Sequence, residues 1–556
     1  MGKIPADYLP PSELRPQRIY TLPEFKNIPQ RLNSTEELLD KTVAGGKGDR
    51  VALCFDDKRI PYKALLAQVN KLGSALKKLG IEEGDRVALR LPNIPPAIVA
   101  NFAVLKIGAV VLPTSVLFSR SEIAHVFNNA EAKAVIVAAT LLEEFEKAIP
   151  ELKTVKHVIV VGGEAEEIKK KGYLLYQELL DSGEPTCDPV RRDRMDVSVL
   201  LFTSGTTGLP KGTAHFMEEA LIVPDSFGKH CWRLTENDVL LSAAPLSMAA
   251  GYSAAATIPY RFGAALSLLP RFTPDGMFET IQNHKVTILS ALPTAYRKLP
   301  QVPDAGKRFN LSSLTTCTGG GESLTAQTYL DWKGKFGQEI FEGLGTTEMM
   351  FVFISSAATR KVKPGSIGPA IPGYELRVVN EEGKDCKPGE SGQLWARGPT
   401  GTIYWRDPEK QRSAVKDGWC RAGDMVSMDE DGYIWFLARE DDLIKSSGYR
   451  IGPEEIEDVL VTHPAVADAG IVGVPDTVMG QKTKAFVSLK SGQQPSEALK
   501  AELIEFCKGK VAVYKLPREV EFTDQMPRAP GPGGPGTGKL LRRVLRQREQ
   551  DKAKAK

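Results

Sequence analysis

The chain has 556 residues, of which 42% are hydrophobic and 25% are charged. This length exceeds what one hydrophobic core usually organises, so two or more domains are expected, and the apolar content is sufficient to fill them. The net charge of +3 arises from nearly balanced acids and bases, which gives no general argument for binding to nucleic acid or to a membrane surface.

The first half of the chain alternates apolar strand patterns with helical patterns. The run 51–55 is a short strand pattern, and apolar residues then recur at helical spacing from Leu65 to Leu79 before Gly80 ends the helix. Alternation of this kind predicts a parallel sheet covered by helices. The charged, turn-rich stretch 164–194 is interpreted as a connector. Further strands are expected at 86–91, 134–138, 157–161 and 197–202, with helices near 98–105 and 141–148.

The second half predicts another α/β layer followed by two smaller units. Short strands and turns between 365 and 436 indicate a small β subdomain, and the stretch after it alternates strands and helices. The expected fold class is therefore α/β, with a large N-terminal domain of two α/β layers plus a small β subdomain, and a smaller α+β C-terminal domain. Strands are expected at 239–245, 264–269, 286–290, 314–321, 374–379, 392–396, 433–436, 466–474, 483–489 and 519–522, with a helix near 497–507.

The N-terminal stretch and the cysteines favour a cytoplasmic protein. The stretch 1–17 is polar and proline-rich rather than an apolar signal core, so secretion is not supported. The seven cysteines are odd in number, scattered and without a CxxC pair, as is typical of reduced thiols. Cysteine and histidine together show no zinc-ligand spacing. No apolar run approaches the roughly 20 residues of a transmembrane helix, so no membrane insertion is expected.

The most informative stretch is 200–212, Leu-Leu-Phe-Thr-Ser-Gly-Thr-Thr-Gly-Leu-Pro-Lys-Gly, which joins an apolar strand to a hydroxyl-rich glycine loop ending in lysine. The glycines let backbone N–H groups approach an anion, the Ser and Thr residues add hydroxyl donors, and Lys211 adds a positive charge. A surface turn after a buried strand is the simpler alternative, but the length of the run argues against it. The residues expected to contact phosphate are Thr203, Ser204, Gly205, Thr206, Thr207, Gly208 and Lys211.

Two stretches approach the GxxxxGK[ST] loop of ATPases without matching it. In the first, Pro210 occupies the glycine position before the lysine, and Gly212 occupies the hydroxyl position after it. In the second, 533–539, Leu540 stands where Ser or Thr would bind Mg²⁺, and Pro535 lies inside the loop. Neither stretch is interpreted as an ATPase loop.

The loop 200–212 closely resembles the phosphate loop of the adenylate-forming superfamily, which includes acyl-CoA synthetases, firefly luciferase and the adenylation domains of peptide synthetases. The chain departs from the family pattern at 422, where alanine replaces threonine, and between Arg528 and Thr537, where it carries about six extra residues, mostly Gly and Pro. The resemblance covers residues 21–546. Further family motifs follow in order: Gly-Gly-Gly-Glu-Ser-Leu at 319–324, Glu-Gly-Leu-Gly-Thr-Thr-Glu at 342–348, Arg-Ala-Gly-Asp at 421–424 and Thr-Gly-Lys at 537–539.

The resemblance implies a role for residues in each motif. Glu348 would be the carboxylate that holds Mg²⁺, Asp424 would accept both ribose hydroxyls, and Lys539 would bridge carboxylate and α-phosphate oxygens. The catalytic set implied is Lys539, Glu348, Thr347 and Gly448. The nucleotide pocket would be completed by Gly320, Gly321, Glu322, Ser323, Glu342, Gly343, Leu344, Gly345, Thr346 and Thr347.

The same resemblance implies a division into two domains. Residues 1–438 would form the N-terminal adenylate-forming domain, residues 439–556 would form a mobile cap that carries the catalytic lysine, and Asp441 would be the hinge. The remaining implied contacts on the cap are those of Arg439 and Arg450 with ribose or phosphate, and those of Ser447, Gly448 and Tyr449 with the face used in the thioester step.

The activity implied is that of an AMP-forming acid–CoA ligase that uses ATP, Mg²⁺ and CoA. A carboxylate would attack the α-phosphorus of ATP and release pyrophosphate, and the thiol of CoA would then displace AMP. The first step requires two anions to be aligned and their charge neutralised. Rotation about Asp441 would then exchange Lys539 for the thiol. The expected partners are a small-molecule carboxylic acid, ATP and CoA, with no nucleic acid, and the protein would be a monomer or a homodimer.

The stretch 243–252 gives information about which carboxylic acid is the substrate. It lacks the aspartate that peptide-synthetase domains use for a substrate ammonium, which disfavours an α-amino acid. Its small residues, with Gly343 and Gly345, indicate a wide, short cavity, although helix packing explains any one of them equally well. With the stretches 20–25, 31–33 and 293–296, they most resemble benzoate- and 2-aminobenzoate-type CoA ligases, so an aromatic or alicyclic acid is expected and a medium-chain fatty acid is the alternative. The implied acyl-pocket residues are His215, Met248, Ala249, Ala250, Gly251, Gly319 and Gly345.

Two interpretations other than a ligase stay open. A luciferase-like oxygenase would share every motif and would be identified by light emission with a luciferin. A nucleotide-binding pseudoenzyme is the other alternative, and the Gly/Pro insertion before Lys539 favours it. Replacement of Lys539 separates an active ligase from such a binder, because only the ligase would lose adenylation.

Overall fold

The computed structural model describes residues 4–203, 209–322, 324–447, 449–528 and 540–554. Two large sheets form between residues 51 and 355, a smaller sheet follows, and another begins at residue 444. Within the described ranges, no helix has the length and apolar character needed to cross a bilayer. All seven cysteines are free thiols.

The first sheet has seven strands among the described residues and is parallel except for its edge strand, Lys211–Phe216. Its strands are near-continuous apolar runs, as expected where helices cover both faces of a sheet. Arg86–Arg90, for example, is buried along its whole length. In spatial order the strands are Lys211–Phe216, Val197–Thr203, Val110–Pro113, Arg86–Arg90, Ala132–Ala138, His157–Val161 and Leu174–Leu175.

The second sheet has eight strands in the described part of the chain and is again parallel except at its two edges. Apolar side chains from both large sheets belong to one continuous core. In spatial order the strands are Val352–Ser355, Ile340–Gly345, Thr316–Gly320, Ile288–Ala291, Val239–Ser242, Ala265–Ser267, Val51–Phe55 and Lys58–Pro61.

Helix Pro95–Lys106 lies at the centre of this core. It contacts helices Tyr62–Lys78 and Ala249–Ala256 as well as strands of the first sheet, and every residue from 97 to 106 is buried. A helix surrounded in this way is apolar on all sides. The other α-helices before residue 415 are Pro23–Lys26, Arg120–Ala130, Leu142–Ala148, Ala165–Lys170, Tyr176–Ser182, Glu219–Val223, Ile258–Phe262, Pro274–His284, Pro293–Lys298, Ala305–Arg308, Ala326–Phe336 and Pro408–Ala414.

Two smaller sheets complete the fold. The first is antiparallel, and the second, together with its helices, forms a unit with a separate apolar core. The strands of the first are Glu375–Val379, Ser391–Arg397, Val415–Lys416, Trp419–Met428 and Ile434–Arg439. The second unit contains strands Ile444–Ser446, Tyr449–Ile451, Val466–Asp476, Gly480–Leu489 and Glu519–Phe522 and helices Pro453–Val461, Glu497–Cys507 and Arg542–Lys554.

The N-terminal segment runs across the part of the chain around residues 398–418. The N–H of Gln17 donates to the carbonyl of Gly418 at 2.9 Å, and the N–H of Ile19 donates to the carbonyl of Gly398 at 3.1 Å. Strand Arg31–Leu32 then pairs with Arg192–Asp193. The segment is therefore tied into the fold by backbone hydrogen bonds.

A buried network of side-chain ion pairs also holds the N-terminal segment in place. Arg18 donates to Glu218 Oε1 at 3.1 Å and to Glu219 Oε1 at 2.6 Å, and both carboxylates are at most 1% exposed. The Tyr20 hydroxyl donates to Glu218 at 2.7 Å, and Arg194 donates to its other oxygen at 2.5 Å. Buried carboxylates are tolerated only when they are paired in this way.

The α/β class and the division into a large N-terminal part and a smaller C-terminal part are confirmed. The interpretation of 164–194 as a connector is wrong in part, because this stretch contains two helices and two short strands. Those elements are Ala165–Lys170, Tyr176–Ser182, Leu174–Leu175 and Arg192–Asp193. The elements whose predicted bounds agree with the structure are Val51–Phe55, His157–Val161, Glu497–Cys507 and Glu519–Phe522.

Candidate active site

The glycine-rich loop closes a hairpin at the edge of the first sheet. Strands Val197–Thr203 and Lys211–Phe216 pair antiparallel, and their register sets Thr203 opposite Lys211. These two residues are therefore held next to each other at the end of the hairpin, and both are half-buried. The residues between them, Ser204, Gly205, Thr206, Thr207 and Gly208, lie outside the described ranges.

Tyr404, which no sequence pattern singled out, connects this hairpin to Glu348. Tyr404 forms an isolated antiparallel bridge with Thr213, and the N–H of Trp405 donates to the carbonyl of Gly212 at 2.9 Å. The Tyr404 hydroxyl donates to Glu348 Oε1 at 2.8 Å. Burial, and then the negative charge of Glu348, raise the pKa of Tyr404, so its hydroxyl remains a proton donor.

Glu348 lies in the short helical turn Thr347–Met349. The Thr346 side chain caps this turn by accepting the N–H of Met349 at 3.2 Å. The Glu348 carboxylate is half-buried and faces the same cavity as Tyr404. Mg²⁺ is usually bound by one or two carboxylates together with phosphate oxygens, so the residues present fit the metal that the motif implies.

Asp424 and Arg439 face each other across antiparallel strands Trp419–Met428 and Ile434–Arg439. Arg439 Nη1 donates to Asp424 Oδ1 at 2.8 Å, and Asp424 is 2% exposed. The charge of Asp424 is the main cause that raises the pKa of Arg439. Arg439 and Glu348 line one cavity of about 220 Å³. This cavity therefore joins the implied metal carboxylate to the arginine that holds the implied ribose carboxylate.

Gly319 and Gly320 end the strand Thr316–Gly320, which lies close to its neighbour. Gly320 pairs with Gly343, and a Cβ on Gly320 would lie 2.6 Å from the Gly343 carbonyl oxygen. Gly321 has a φ of +87°, a conformation that favours glycine. Glu322 accepts a hydrogen bond from Arg297 at 3.1 Å. The remaining implied nucleotide residues, Leu344, Gly345, Thr346 and Thr347, continue from the neighbouring strand into the turn that carries Glu348.

Glu342 is a buried carboxyl group beneath this turn. It accepts the N–H of Leu324 at 2.9 Å, which holds the end of the turn against the neighbouring strand. Burial, with smaller contributions from the carboxylates of Glu454 and Asp458, raises the pKa of Glu342 to about 8, although the hydrogen bond from Leu324 acts to lower it. Glu454 and Asp458 belong to helix Pro453–Val461, so the pKa of Glu342 depends on charges in the C-terminal unit.

We expect Glu342→Gln to change how stability depends on pH. A carboxyl group whose folded pKa lies near 8, above the ordinary value of 4.5, stabilises the folded state at low pH and loses that contribution as pH rises through about 8. Glutamine keeps the acceptor for Leu324 and cannot ionise. The variant should match the parent at pH 4 and exceed it by roughly 2–5 kcal/mol at pH 9 in chemical denaturation.

Glu382→Gln is the control for this measurement. Glu382 is exposed and pairs with Lys384, so the same substitution there should leave the pH profile unchanged. If the free energy of unfolding of Glu342→Gln does not exceed that of the parent at pH 9, the buried carboxyl group ionises without a penalty. A pKa near 8 for Glu342 would then be wrong.

Glycines of the expected acyl pocket have a packing role that corrects the sequence interpretation. A Cβ on Gly251 would lie 2.0 Å from the carbonyl oxygen of Pro245. At Gly345, a Cβ would lie 2.5 Å from the carbonyl oxygen of Phe351. The space beside these glycines is filled by backbone, so the missing side chains permit close packing and do not widen a cavity.

The other implied pocket positions differ in exposure. Met248 precedes helix Ala249–Ala256 and is 42% exposed, Ala249 is buried, and Ala250 is half-buried. A Cβ on Gly319 would approach the side chain of Ile340 at 3.3 Å. Met248 and Ala250 therefore keep more accessible surface than Ala249.

His215 lies in a buried polar network, and its assignment to the wall of an acyl pocket stays a prediction. Its Nδ1 is 2.8 Å from Glu219 Oε2, its Nε2 is 3.3 Å from the Thr213 hydroxyl, and the residue is buried. It thus extends the ion-pair network of Arg18. The sequence could not reveal this arrangement because Arg18 and Glu219 are 201 positions apart.

The implied hinge follows directly after Arg439. Asp441 lies in the short turn Glu440–Asp442 and is exposed. Beyond it, strands Ile444–Ser446 and Tyr449–Ile451 form a hairpin, in which Arg450 pairs with Lys445 through its backbone. Tyr449 stacks on Tyr514 with ring centroids 4.2 Å apart, and Ser447 has a φ of +48° at the hairpin turn. Ser323, Gly448 and Lys539 lie outside the described ranges.

Comparison with known proteins agrees with this arrangement. The family model described as AMP-binding enzyme matches residues 39–405, and the one described as AMP-binding enzyme C-terminal domain matches residues 455–530. The benzoate–CoA ligase of Thauera aromatica is 32% identical over 532 residues, covering 95% of this chain and 98% of that protein. The acetyl-coenzyme A synthetase of Bacillus subtilis (strain 168) is 34% identical over 528 residues, covering 93% of this chain and 90% of that protein.

A solved structure extends the comparison to the whole fold. The crystal structure of the anthranilate CoA ligase AuaEII in complex with anthranoyl-AMP is similar with a TM-score of 0.88 and 31% sequence identity. The similarity covers 95% of this chain and 99% of that chain. The N-terminal and C-terminal parts of the two proteins therefore correspond.

Proposed function

Because this chain belongs to the AMP-binding enzyme family and is an AMP-forming acyl-CoA synthetase, we propose that it activates a ring-bearing carboxylic acid. A carboxylate oxygen bonds to the α-phosphorus of ATP, and the bond from that phosphorus to the pyrophosphate oxygen breaks. The CoA sulfur then bonds to the carbonyl carbon, AMP leaves with the acyl oxygen, and the thiol proton passes to solvent. Both steps require alignment and charge neutralisation more than protein acid–base chemistry.

The proposed site residues bind two parts of ATP, the phosphates and the ribose. Thr203 and Lys211, held together at the end of the hairpin, bind the phosphates with the loop between them. Glu348 would hold Mg²⁺, and the metal would supply positive charge that offsets the charge of the phosphates. Asp424 holds the ribose hydroxyls, and its pairing with Arg439 fixes its orientation. The observation that supports this assignment most directly is the shared cavity of Glu348 and Arg439.

The domain roles form part of the proposal. Residues 1–438 bind ATP and the acid, residues 439–556 supply Lys539 for the first step, and Asp441 is the hinge for the second. The two family matches end at 405 and begin at 455, which is consistent with a boundary between them. All seven cysteines are free, which supports a reducing compartment such as the cytoplasm. The proposed oligomeric state is a monomer or a homodimer, because every proposed site residue comes from one chain and either state would contain complete sites.

An aromatic or alicyclic acid is the proposed substrate class. It is supported by the similarity to the benzoate–CoA ligase and to the AuaEII structure with anthranoyl-AMP. The half-buried Ala250 and the exposed Met248 leave the helix end at 248–250 free of bulky buried side chains. The similarity to acetyl-coenzyme A synthetase makes a small aliphatic acid the second candidate.

A panel of acids tests the substrate class. Pyrophosphate, AMP and thioester are measured with ATP, Mg²⁺ and CoA for benzoate, 2-aminobenzoate, cyclohexenecarboxylate, acetate, hexanoate and decanoate. We expect the ring acids to exceed the straight-chain acids by at least about tenfold in kcat/KM, since a pocket distinguishes acyl groups by the apolar surface that it buries.

The other outcomes separate the alternatives. If acetate, hexanoate or decanoate leads, the ring-acid proposal is wrong while the ligase chemistry stands. If ATP binds but no acid yields pyrophosphate, the protein is a nucleotide-binding pseudoenzyme. Reactions without acid give the background hydrolysis of ATP.

A further inference from the structure

The cavity of about 220 Å³ that Glu348 and Arg439 share continues into the small β subdomain. Besides those two residues, Lys410 of helix Pro408–Ala414 and Arg421 line it. No motif in the sequence singles out this helix as part of a site. One wall of the candidate active site therefore carries basic side chains that the nucleotide motifs do not account for.

Helix Pro408–Ala414 has a fixed start. The Asp407 carboxylate caps it by accepting the N–H of Lys410 at 2.9 Å. Pro408 occupies the first helical position, where an N–H would have no partner within the helix. The cap therefore places Lys410 in the first turn of the helix.

Gln411 holds this helix against the segment that contains Tyr404. The Gln411 side chain is buried, its Oε1 accepts the N–H of Tyr404 at 2.8 Å, and its Nε2 donates to the carbonyl of Thr402 at 2.8 Å. The Tyr404 hydroxyl in turn donates to Glu348. The backbone of Lys410, which precedes Gln411, is therefore fixed relative to the tyrosine that contacts the implied metal carboxylate.

The basic side chains of the cavity differ in their partners. Arg439 donates to Asp424 at 2.8 Å, and Arg421 Nη2 donates to Gln393 Oε1 at 2.9 Å. Lys410 is half-buried, and its ammonium group forms no hydrogen bond or ion pair with any residue that the structure describes. Charged groups removed from water are usually paired, so the Lys410 ammonium is available to an anionic ligand.

The charges that line the cavity favour an anion. Three cationic side chains and two carboxylates belong to the lining, and a metal held at Glu348 would add positive charge. The proposed function assigns the ribose to Asp424, the partner of Arg439, and the phosphates to the side of Glu348. The phosphate chain of ATP would then lie along the cavity. The charged lining residues are Lys410, Arg421, Arg439, Glu348 and Glu440.

We propose that Lys410 is a further nucleotide-binding residue, whose ammonium group contacts phosphate oxygens of ATP. A lysine ammonium offers three donors and binds phosphate as a compact point charge. Lys410 adds its charge from the β subdomain, whereas Lys211 adds its charge from the hairpin of the first sheet. The inference rests on the proposed function, in which ATP binds at Glu348 and Asp424.

Direct binding measurements by titration calorimetry test the proposal without turnover. Lys410→Met keeps an unbranched apolar side chain and removes the charge. We expect the Kd for ATP with Mg²⁺ to rise about 10- to 100-fold, as for one lost hydrogen bond to a charged group, and the Kd for adenosine to stay within about twofold of the parent. Adenosine is the discriminating ligand because it has no phosphate.

Salt dependence distinguishes a charge contact from a structural effect. Between about 50 and 500 mM salt, the affinity of the parent for ATP should fall more steeply than that of Lys410→Met, since screening weakens only the charge contact that the variant lacks. Lys410→Arg keeps the positive charge and should retain most of the affinity. Arg412→Met is the matched control, because Arg412 is exposed on the same helix and is not among the described residues that line the cavity.

Three results would overturn the proposal. They are unchanged ATP binding in Lys410→Met, an equal loss of affinity for adenosine, and an equal loss in Arg412→Met. If thermal unfolding shows that Lys410→Met does not fold, Lys410→Gln takes its place and the same criteria apply. Failure of the parent to bind ATP would instead count against the proposed function itself.

Discussion

Replacing Lys539 by alanine is expected to slow acyl-adenylate formation by about 10²- to 10³-fold, the cost typical of removing one group aimed at charge that develops in a transition state. The attacking carboxylate and the α-phosphate are both anions, and the lysine is the proposed cation between them. ATP binding should change little, because the proposed nucleotide contacts are those of the phosphate loop, Glu348 and Asp424. The measurement is pyrophosphate release at saturating ATP and acid.

Thioester formation is the internal control for this variant. A supplied acyl adenylate should react with CoA at nearly the parent rate, since the proposed role of the lysine is confined to the first step. Lys552→Ala is the control on the same C-terminal segment, because that ammonium pairs with Glu521 and Glu549 on the surface of the unit. Unchanged adenylation in Lys539→Ala would remove this residue from the mechanism.

Arg18→Ala is expected to lower the free energy of unfolding by about 3–5 kcal/mol, the range for removing one partner of a buried ion pair. Glu218 would keep Tyr20 and Arg194, whereas Glu219 would keep only His215. A buried carboxylate left short of partners must either ionise at a cost or take up a proton.

The effect of Arg18→Ala should also depend on pH. Burial acts to raise the pKa of Glu219, but the charges of Arg18 and then His215 outweigh it and hold the pKa below the ordinary value of 4.5. A lowered folded pKa stabilises the protein above pH 4.5 and loses that contribution as pH falls through the folded value. The difference between variant and parent should therefore be largest near pH 7 and shrink toward pH 3.

Chemical denaturation at several pH values measures this effect. Arg31→Ala is the control, because Arg31 is exposed and its guanidinium donates to the carbonyl of Arg191 at 2.7 Å. That variant should lose less than about 1 kcal/mol, as surface contacts usually do. A loss of the same size in both variants, or one that does not vary with pH, would mean that the Arg18 network is not an important source of stability.

The sequence could predict those elements whose signal is local. Strand His157–Val161 is a run of apolar residues bounded by turns, and helix Glu497–Cys507 has apolar residues at helical spacing. Val110–Pro113 was not predicted, although it lies inside the first sheet between Arg86–Arg90 and Val197–Thr203. Four residues are too few to show a period, and a terminal proline argues against a central strand.

The candidate site likewise contains residues that the sequence could predict and contacts that it could not. The motif residues are contiguous, so the sequence could indicate Lys211, Glu348 and Asp424 together with their chemistry. The contacts that orient them join distant positions: Tyr404 is 56 residues from Glu348. Single residues such as Tyr404 show no pattern, and no local rule places them beside a partner. The packing role of Gly251 was equally hidden, because the atom that fills its Cβ position belongs to Pro245.

The N-terminal segment has a consequence for where the protein can be shortened. The match to the AMP-binding enzyme family begins only at residue 39, which makes the preceding residues look dispensable. Arg18 and Tyr20 nevertheless supply partners for Glu218, and Arg18 supplies one for Glu219. A version trimmed to the family boundary would retain both carboxylates in the interior without those partners. Arg18 and Tyr20 are therefore an integral part of the folded N-terminal part of the chain.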